Sequence, residues 1–254
     1  NLEYILNKYG HEKLSALPTF TDFNKIPETI DAYRHYGFGH IFLRPVNFQG
    51  FARKQFPESL NQMGKWSKAY NSAIDKIFRD NYSGYSKITE FSYALALKRI
   101  FNLGYNGHVD LRTPNFSTRD YIVIDYDGTF YPSDEARMIT RIGKTNLALG
   151  NLYNGLDKKS IHAFNWNQMN EINPDCIHCV YQNYCGIDNV DDISRYGRID
   201  LPKMNTEFCR NHMSKFDDIF RRIISNDPVN MFNISGHLNR NFTVDPPFGR
   251  IMYG

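Results

Sequence analysis

Four cysteines crowded into the last third of the chain constrain this sequence more than any other feature. They stand as Cys176-x2-Cys179-x5-Cys185-x23-Cys209, with none before residue 176. A Cys-x2-Cys turn aims two thiolates at one point, because its backbone curls around the metal. Two more thiolates complete a four-sulfur shell, which suits tetrahedral zinc or an iron–sulfur cluster. A zinc ribbon usually shows two such knuckles and this chain has one, so the spacing leans towards a cluster. A secreted disulfide framework would spread its cysteines through a small domain. These four fall in one segment of a 254-residue chain, which predicts a metal site in a reducing compartment and hence a cytoplasmic protein. His178 inside the knuckle and His212 beyond Cys209 are expected to be exposed or supporting groups, since thiolates already fill the shell.

The rest of the chain has the texture of a folded protein. Hydrophobic residues are 41% and charged residues 22%, an ordinary globular balance. A net charge of +3 is too weak to argue for a nucleic-acid partner, and no apolar run is long enough to span a bilayer. Residues 14–22 (LSALPTFTD) read as a strand. NKIPETIDAYRHYG follows as a helix, with Pro27 in its first turn, Ile30, Ala32 and Tyr33 on an apolar stripe, and Gly37 at its end. HIFLRPV (40–46) then reads as a buried strand. Strand, helix, strand is a βαβ unit with parallel strands. Two such strands need further cover, so more sheet is expected from upstream of residue 14 or from another chain.

Residues 62–80 carry Met63, Trp66, Tyr70, Ala73, Ile74 and Ile77 at helical spacing, and 87–102 repeat the pattern with Ile88, Phe91, Leu95 and Ile100. From residue 108 the texture changes. HVDLR, YIVID and TFYPS read as short strands, with Asp127-Gly128 as a hairpin turn. Helices are expected near 157–172 and from Thr206 to Ser225, the latter capped by Thr206. Beyond Asp227 the chain is rich in Asn, Pro and Gly and reads as an irregular arm. The expected divisions are 1–60, an α/β segment; 61–107, a helical linker; 108–225, a small cysteine-rich α+β domain with a hairpin and helices; and 226–254, the tail.

IVIDYDGTFYPSD supports a rival reading. A hydrophobic strand followed by Asp-x-Asp-Gly-Thr opens haloacid-dehalogenase-type phosphatases, with Asp125 as nucleophile, Asp127 as acid/base, and Mg²⁺ between carboxylates and phosphate. That chemistry also needs an acidic pair at a strand end. Asp191-Asp192 and Asp217-Asp218 do not follow apolar strands, so a plain Asp-Gly hairpin is the better expectation.

Taken together, GHIFLRPVNFQGFA, DYDGTFYPSDEARM, Gly150–Leu152, CIHCVYQNYCGIDNV and FCRNHM resemble the C-terminal part of radical S-adenosylmethionine (SAM) enzymes that carry a SPASM domain, most of all the maturases of His-Xaa-Ser peptide systems. The resemblance implies that HIFLRPV is the last strand, and LSALPTFTD the strand before it, of a partial (β/α)6 barrel. It implies that residues 108–225 are the SPASM domain. That domain ordinarily holds two auxiliary 4Fe-4S clusters, and this sequence keeps the ligands of one: Cys176, Cys179, Cys185 and Cys209. The other would need cysteine where Ser133 and Asn189 stand, and one upstream in 108–127, where there is none. The Cys-x3-Cys-x2-Cys loop that holds the SAM-cleaving cluster is also missing. The chain is therefore expected to be part of a longer enzyme and inactive alone, with SAM and a second 4Fe-4S cluster belonging only to the full-length protein. The resemblance further implies a ribosomally made precursor peptide as substrate, a flavodoxin or ferredoxin as electron donor, Asp134 as a base and Arg44 as a contact to SAM or substrate. A zinc-stabilised four-cysteine binding module is the alternative.

Overall fold

The computed structural model of the chain describes residues 2–14, 17–47, 49–50, 52–55, 64–84, 86–102 and 116–238. In chain order the elements are α1 (Leu2–Tyr9), β1 (Thr19–Phe20), α2 (Ile26–His35), β2 (His40–Ile41), β3 (Arg44–Pro45), α3 (Ala52–Gln55), α4 (Lys65–Tyr82), β4 (Thr89–Glu90), α5 (Phe91–Phe101), β5 (Val123–Ile124), β6 (Phe130–Tyr131), α6 (Asp134–Arg141), β7 (Gly150–Asn151), β8 (Gly155–Leu156), α7 (Lys158–Asn167), α8 (Asn189–Tyr196), α9 (Glu207–Ser225) and α10 (Pro228–Leu238). They group into two compact units. One comprises Asn1–Pro45, Trp66–Leu103 and Lys215–Gly254, and the other Val46–Lys65 and Gly104–Ser214.

In the first unit the expected βαβ order is present, and the strands are parallel. β1 pairs with β3 through Thr19 and Arg44, and β2 pairs with β4 through His40 and Thr89. HIFLRPV is not one unbroken strand. Between β2 and β3, the Leu43 N–H turns to the Glu90 carboxylate (3.1 Å). α2 ends as its sequence predicts: Gly37 has φ +74, and Phe38 N–H and Gly37 N–H bond to the carbonyls of Tyr33 and Arg34, a Schellman closure. The stripe beginning at Ile88 is helical only from Phe91. Thr89–Glu90 is a strand, and the Glu90 side chain caps α5 by accepting the Tyr93 N–H (2.7 Å). Ile30, Ile41, Ile74, Ile77, Phe78, Ile88 and Leu97 are almost wholly buried and form the apolar interior.

The irregular arm expected after residue 226 is corrected over residues 228–238, which form α10. Asp227 caps it by accepting the N–H groups of Val229 and Asn230 (3.0 and 3.1 Å). Asn233, one of its two asparagines, is not a loop signal but a buried connector: it donates to Phe78 O (2.9 Å) and accepts from Asn81 (2.8 Å). Residues 239–254 and the HVDLR strand lie outside the described residues.

One helical turn on, His237 is buried with Nδ1 against Asn233 O (2.8 Å) and Nε2 facing the Glu90 N–H (3.1 Å). That pairing fits a neutral ring with the proton on Nδ1. Burial lowers its pKa from 6.5 to about 4. The unfolded chain therefore takes up a proton between about pH 6.5 and 4 while the folded chain does not, so stability is lost as pH falls through that window. The expected loss is about 3 kcal/mol. Burial raises the Glu90 pKa, which acts with the opposite sign. Urea midpoints of the wild type and His237→Gln across pH 4–8 isolate the histidine: the variant is expected to lack most of the acid-side slope.

In the second unit, β5 and β6 form the predicted antiparallel hairpin, with Val123 opposite Tyr131. Gly128 sits at φ +81 in its turn. β7 and β8 make a second hairpin, joined to the first by a bridge between Thr129 and Asn151. α6 packs Ala136 and Ile139 against Val190 of α8, with Leu147 and Phe164 alongside. α7 occupies 158–167 of the range expected to be helical, capped by Asp157. α9 begins where Thr206 predicts.

Candidate metal centre

The cysteine segment is a run of tight turns. Cys176 N–H bonds to Asn173 O, Cys179 N–H to Cys176 O, Gln182 N–H to Cys179 O and Cys185 N–H to Tyr181 O, all at 2.9–3.0 Å. The link from Cys179 back to Cys176 is the curl that a Cys-x2-Cys knuckle requires. Asn170, 1% exposed, fastens the segment by donating to the carbonyls of Gln182 (2.9 Å) and Cys185 (3.1 Å). Cys209 arrives from the first turn of α9. Thr206 Oγ1 accepts its N–H (3.3 Å), placing the thiol where the helix dipole favours negative charge.

None of the four cysteines is in a disulfide, and all are half-buried. Each lies within electrostatic reach of the other three. Cys176 is coupled to Cys209 and Cys179; Cys185 to Cys209, Cys176 and Cys179; and Cys209 to Cys179. Burial, then the neighbouring thiols, push Cys176 up to about 11 and Cys185 up to about 12, and raise Cys209 as well. Thiols in that state are protonated at neutral pH, and a bound cation has to displace those protons. Among the described residues, no three or more His, Cys, Asp and Glu side chains are drawn tightly enough together to hold a metal ion. A set of four thiols is the donor chemistry of a thiolate-ligated centre. The closed shell of a single ion is not formed. His178 is exposed, and His212 turns Nδ1 to Phe208 O (2.9 Å).

Ser133 and Asn189, which stand where the SPASM pattern would place cysteines, are structural side chains. Ser133 caps α6 by accepting the Ala136 N–H (3.1 Å). Asn189 is 3% exposed and donates to Asn167 O (2.7 Å).

The remaining candidates are dispersed. Asp134 opens α6, exposed and paired with Arg137 at 2.6 Å. Arg44 donates to Thr19 Oγ1 (3.3 Å) and lies over the Phe42 ring, while its Nε is buried without a hydrogen-bond partner among the described residues. Asp125 is buried, with Arg141 at 2.7 Å and Arg137 at 3.6 Å. Desolvation raises its pKa, but the Tyr126 N–H and Arg141 outweigh it and hold the carboxyl below its usual range. A carboxylate engaged by guanidinium is ill placed to attack phosphate. Asp127 accepts the Thr129 N–H (2.9 Å), the ordinary duty of Asp in such a turn. Asp125→Asn is expected to loosen the hairpin against α6, lowering Tm, with no Mg²⁺-dependent phosphate release in either protein; release lost on substitution would restore the phosphatase reading.

Sequence reasoning missed Asn170, Asp192 and Lys203, all buried beside the cysteine segment. In the sequence Asp192 stands out only as half of an acidic pair, and nothing local distinguishes a buried lysine from a surface one.

No protein-family model matches the chain, and no curated protein does. Solved structures of anSMEcpe, an anaerobic sulfatase-maturating enzyme of the radical SAM type, share its fold. The hexahistidine-tagged form with bound AdoMet superposes with a TM-score of 0.56 at 16% identity, over 93% of this chain and 60% of that one. The native form with bound AdoMet gives 0.54 at 14% identity, over 88% and 60%. The native form with AdoMet and Kp18Cys peptide gives 0.54 at 15%, over 88% and 59%. The chain thus spans about 60% of the length of the structures it matches. Among the described residues, no helix is long and apolar enough to cross a membrane.

Proposed function

We propose that this chain is the C-terminal region of a radical SAM enzyme with a SPASM-type domain, holding one auxiliary 4Fe-4S cluster through Cys176, Cys179, Cys185 and Cys209. The observation that carries the reading is the Cys176–Cys179 turn, tied through Asp175, Lys203 and Thr206 to the cap that holds Cys209. The sharing of a fold with a maturating enzyme supports the class. A single zinc ion needs its sulfurs about 3.8 Å apart, from Zn–S bonds of about 2.3 Å in a tetrahedron. A four-iron cube sets its thiolates on a larger tetrahedron, so metal content separates the two. The structural duties of Ser133 and Asn189 favour one auxiliary cluster rather than two.

Bound there, the cluster supplies a site that can accept or relay one electron. The chain's own residues desolvate it: Cys185 is the most deeply pushed of the thiols, and Asn170 holds the carbonyl of the same residue. A ribosomally made peptide is the proposed substrate, by analogy with a relative crystallised with a peptide. The His-Xaa-Ser maturases are the proposed kin, on motif likeness. An electron donor such as a flavodoxin or ferredoxin and a cytoplasmic setting complete the proposal. SAM and the cluster that cleaves it belong to the full-length enzyme. Arg44, whose buried Nε has no hydrogen-bond partner among the described residues, is the proposed contact to SAM or substrate, and Asp134 the proposed base.

Anaerobic purification with an absorbance scan and metal analysis tests the reading. Brown protein that makes no 5′-deoxyadenosine from SAM is expected. Colourless protein carrying one zinc would instead establish the binding-module alternative.

A further inference from the structure

Between Cys185 and Cys209 the second unit buries an ion pair. Lys203 is 6% exposed and Asp192 2%, with the ammonium 2.7 Å from Asp192 Oδ2. Lys203 Nζ also donates to Ile199 O (3.1 Å). Removing two charges from water is costly, and apolar residues of the same volume would serve a purely mechanical role at least as well. Nor is the pair fully satisfied: Asp192 Oδ1 is buried without a hydrogen-bond partner among the described residues.

Its position explains why it is there. The Lys203 N–H donates to the carboxylate of Asp175 (2.8 Å), the residue before Cys176. The Lys203 carbonyl accepts from Thr206 Oγ1 (2.8 Å), and the same Oγ1 accepts the Cys209 N–H. One anchored residue therefore ties the Cys176 turn to the cap above Cys209. Its ammonium is within electrostatic reach of both sulfurs. Asp192 and Asp175 are the acidic groups facing Cys209, and Asp191 and Arg195 flank Asp192.

We propose that Lys203 is a positioning residue of the four-thiol site, fixing Cys176 and Cys209 relative to each other and placing a buried positive charge that favours the reduced state of the cluster they hold. The inference rests on the cluster reading above. A thiolate-ligated cluster gains negative charge on reduction, and nearby charge in a low-dielectric setting tunes its potential.

Lys203→Met, Asp192→Asn and the double variant, which leaves no unpaired buried charge, are reconstituted anaerobically in the full chain. Midpoint potential and the rate of iron loss to a chelator are then measured. Lys203→Met is expected to lower the potential and to speed iron loss about tenfold or more, and Asp192→Asn to raise the potential. The double variant is expected to lie between them in potential and still to lose iron faster than wild type. Unmoved potentials, or shifts of the same sign in both single variants, overturn the proposal. So does unchanged iron loss in the double variant, which decides the matter if Lys203→Met does not fold. A wild type that binds no iron defeats the cluster reading and this inference together, whereas a wild-type cluster indifferent to both residues defeats this inference alone.

Discussion

Cys185→Ala is expected to reduce iron and sulfide from about four of each per chain to near zero, while Asp134→Ala leaves them unchanged. Cys185 carries the largest burial-driven rise among the thiols, up to about 12, and couples to the other three. Without it, a cluster would have one iron lacking its thiolate donor. Burial also means that the apo protein keeps a neutral thiol there, so alanine costs the folded apo chain little beyond the lost sulfur. Metal content should therefore collapse while apo stability moves only modestly. If urea midpoints of the apo forms fell as steeply as metal content, Cys185 would be a packing residue first and a ligand second.

Gly150→Ala is expected to be the most damaging small substitution in the second unit. A Cβ at Gly150 would stand 2.1 Å from the Gly155 carbonyl oxygen and 3.0 Å from the Asp157 nitrogen, both backbone atoms that cannot swing aside. The residue also sits at φ +123. Opening the β7–β8 hairpin is the only relief, and it would take with it the Thr129–Asn151 bridge to the first hairpin. Strain with steric overlap of this kind is expected to cost at least about 3 kcal/mol. Gly155→Ala is the control. It has φ +75 with open space around a Cβ, so it carries only the left-handed penalty, roughly 1–2 kcal/mol. Urea denaturation of the two variants should separate them clearly; equal losses would mean that the overlap at Gly150 is relieved without opening the hairpin.

What could be read in advance was local. Pro27 and Gly37 bracket α2 because both act through their own backbone angles. Asp127-Gly128 makes its hairpin for the same reason, and Thr206 caps α9 through one hydroxyl. What could not be read depended on partners far along the chain. Ile88 matches a helical stripe, yet it is buried just ahead of a two-residue strand, because Glu90 exchanges the next helical turn for a cap. Asn233 and His237 look like loop residues until Asn81, Phe78 and Glu90 supply their hydrogen bonds. At the site, four cysteines advertised themselves by rarity and spacing. Lys203 and Asp192 did not, since their burial is decided by the fold around them. The positions of Ser133 and Asn189 were informative only as departures from a pattern, and their hydrogen bonds give those departures a physical meaning.

The central claim is that four sulfur atoms from two segments hold one polynuclear centre, and native mass spectrometry of anaerobically reconstituted protein tests it most directly. A single mass increment of four irons and four sulfides on the wild type, absent from each of the four single cysteine-to-alanine variants, is the predicted result. A wild-type increment of one zinc, or of no metal, would contradict it.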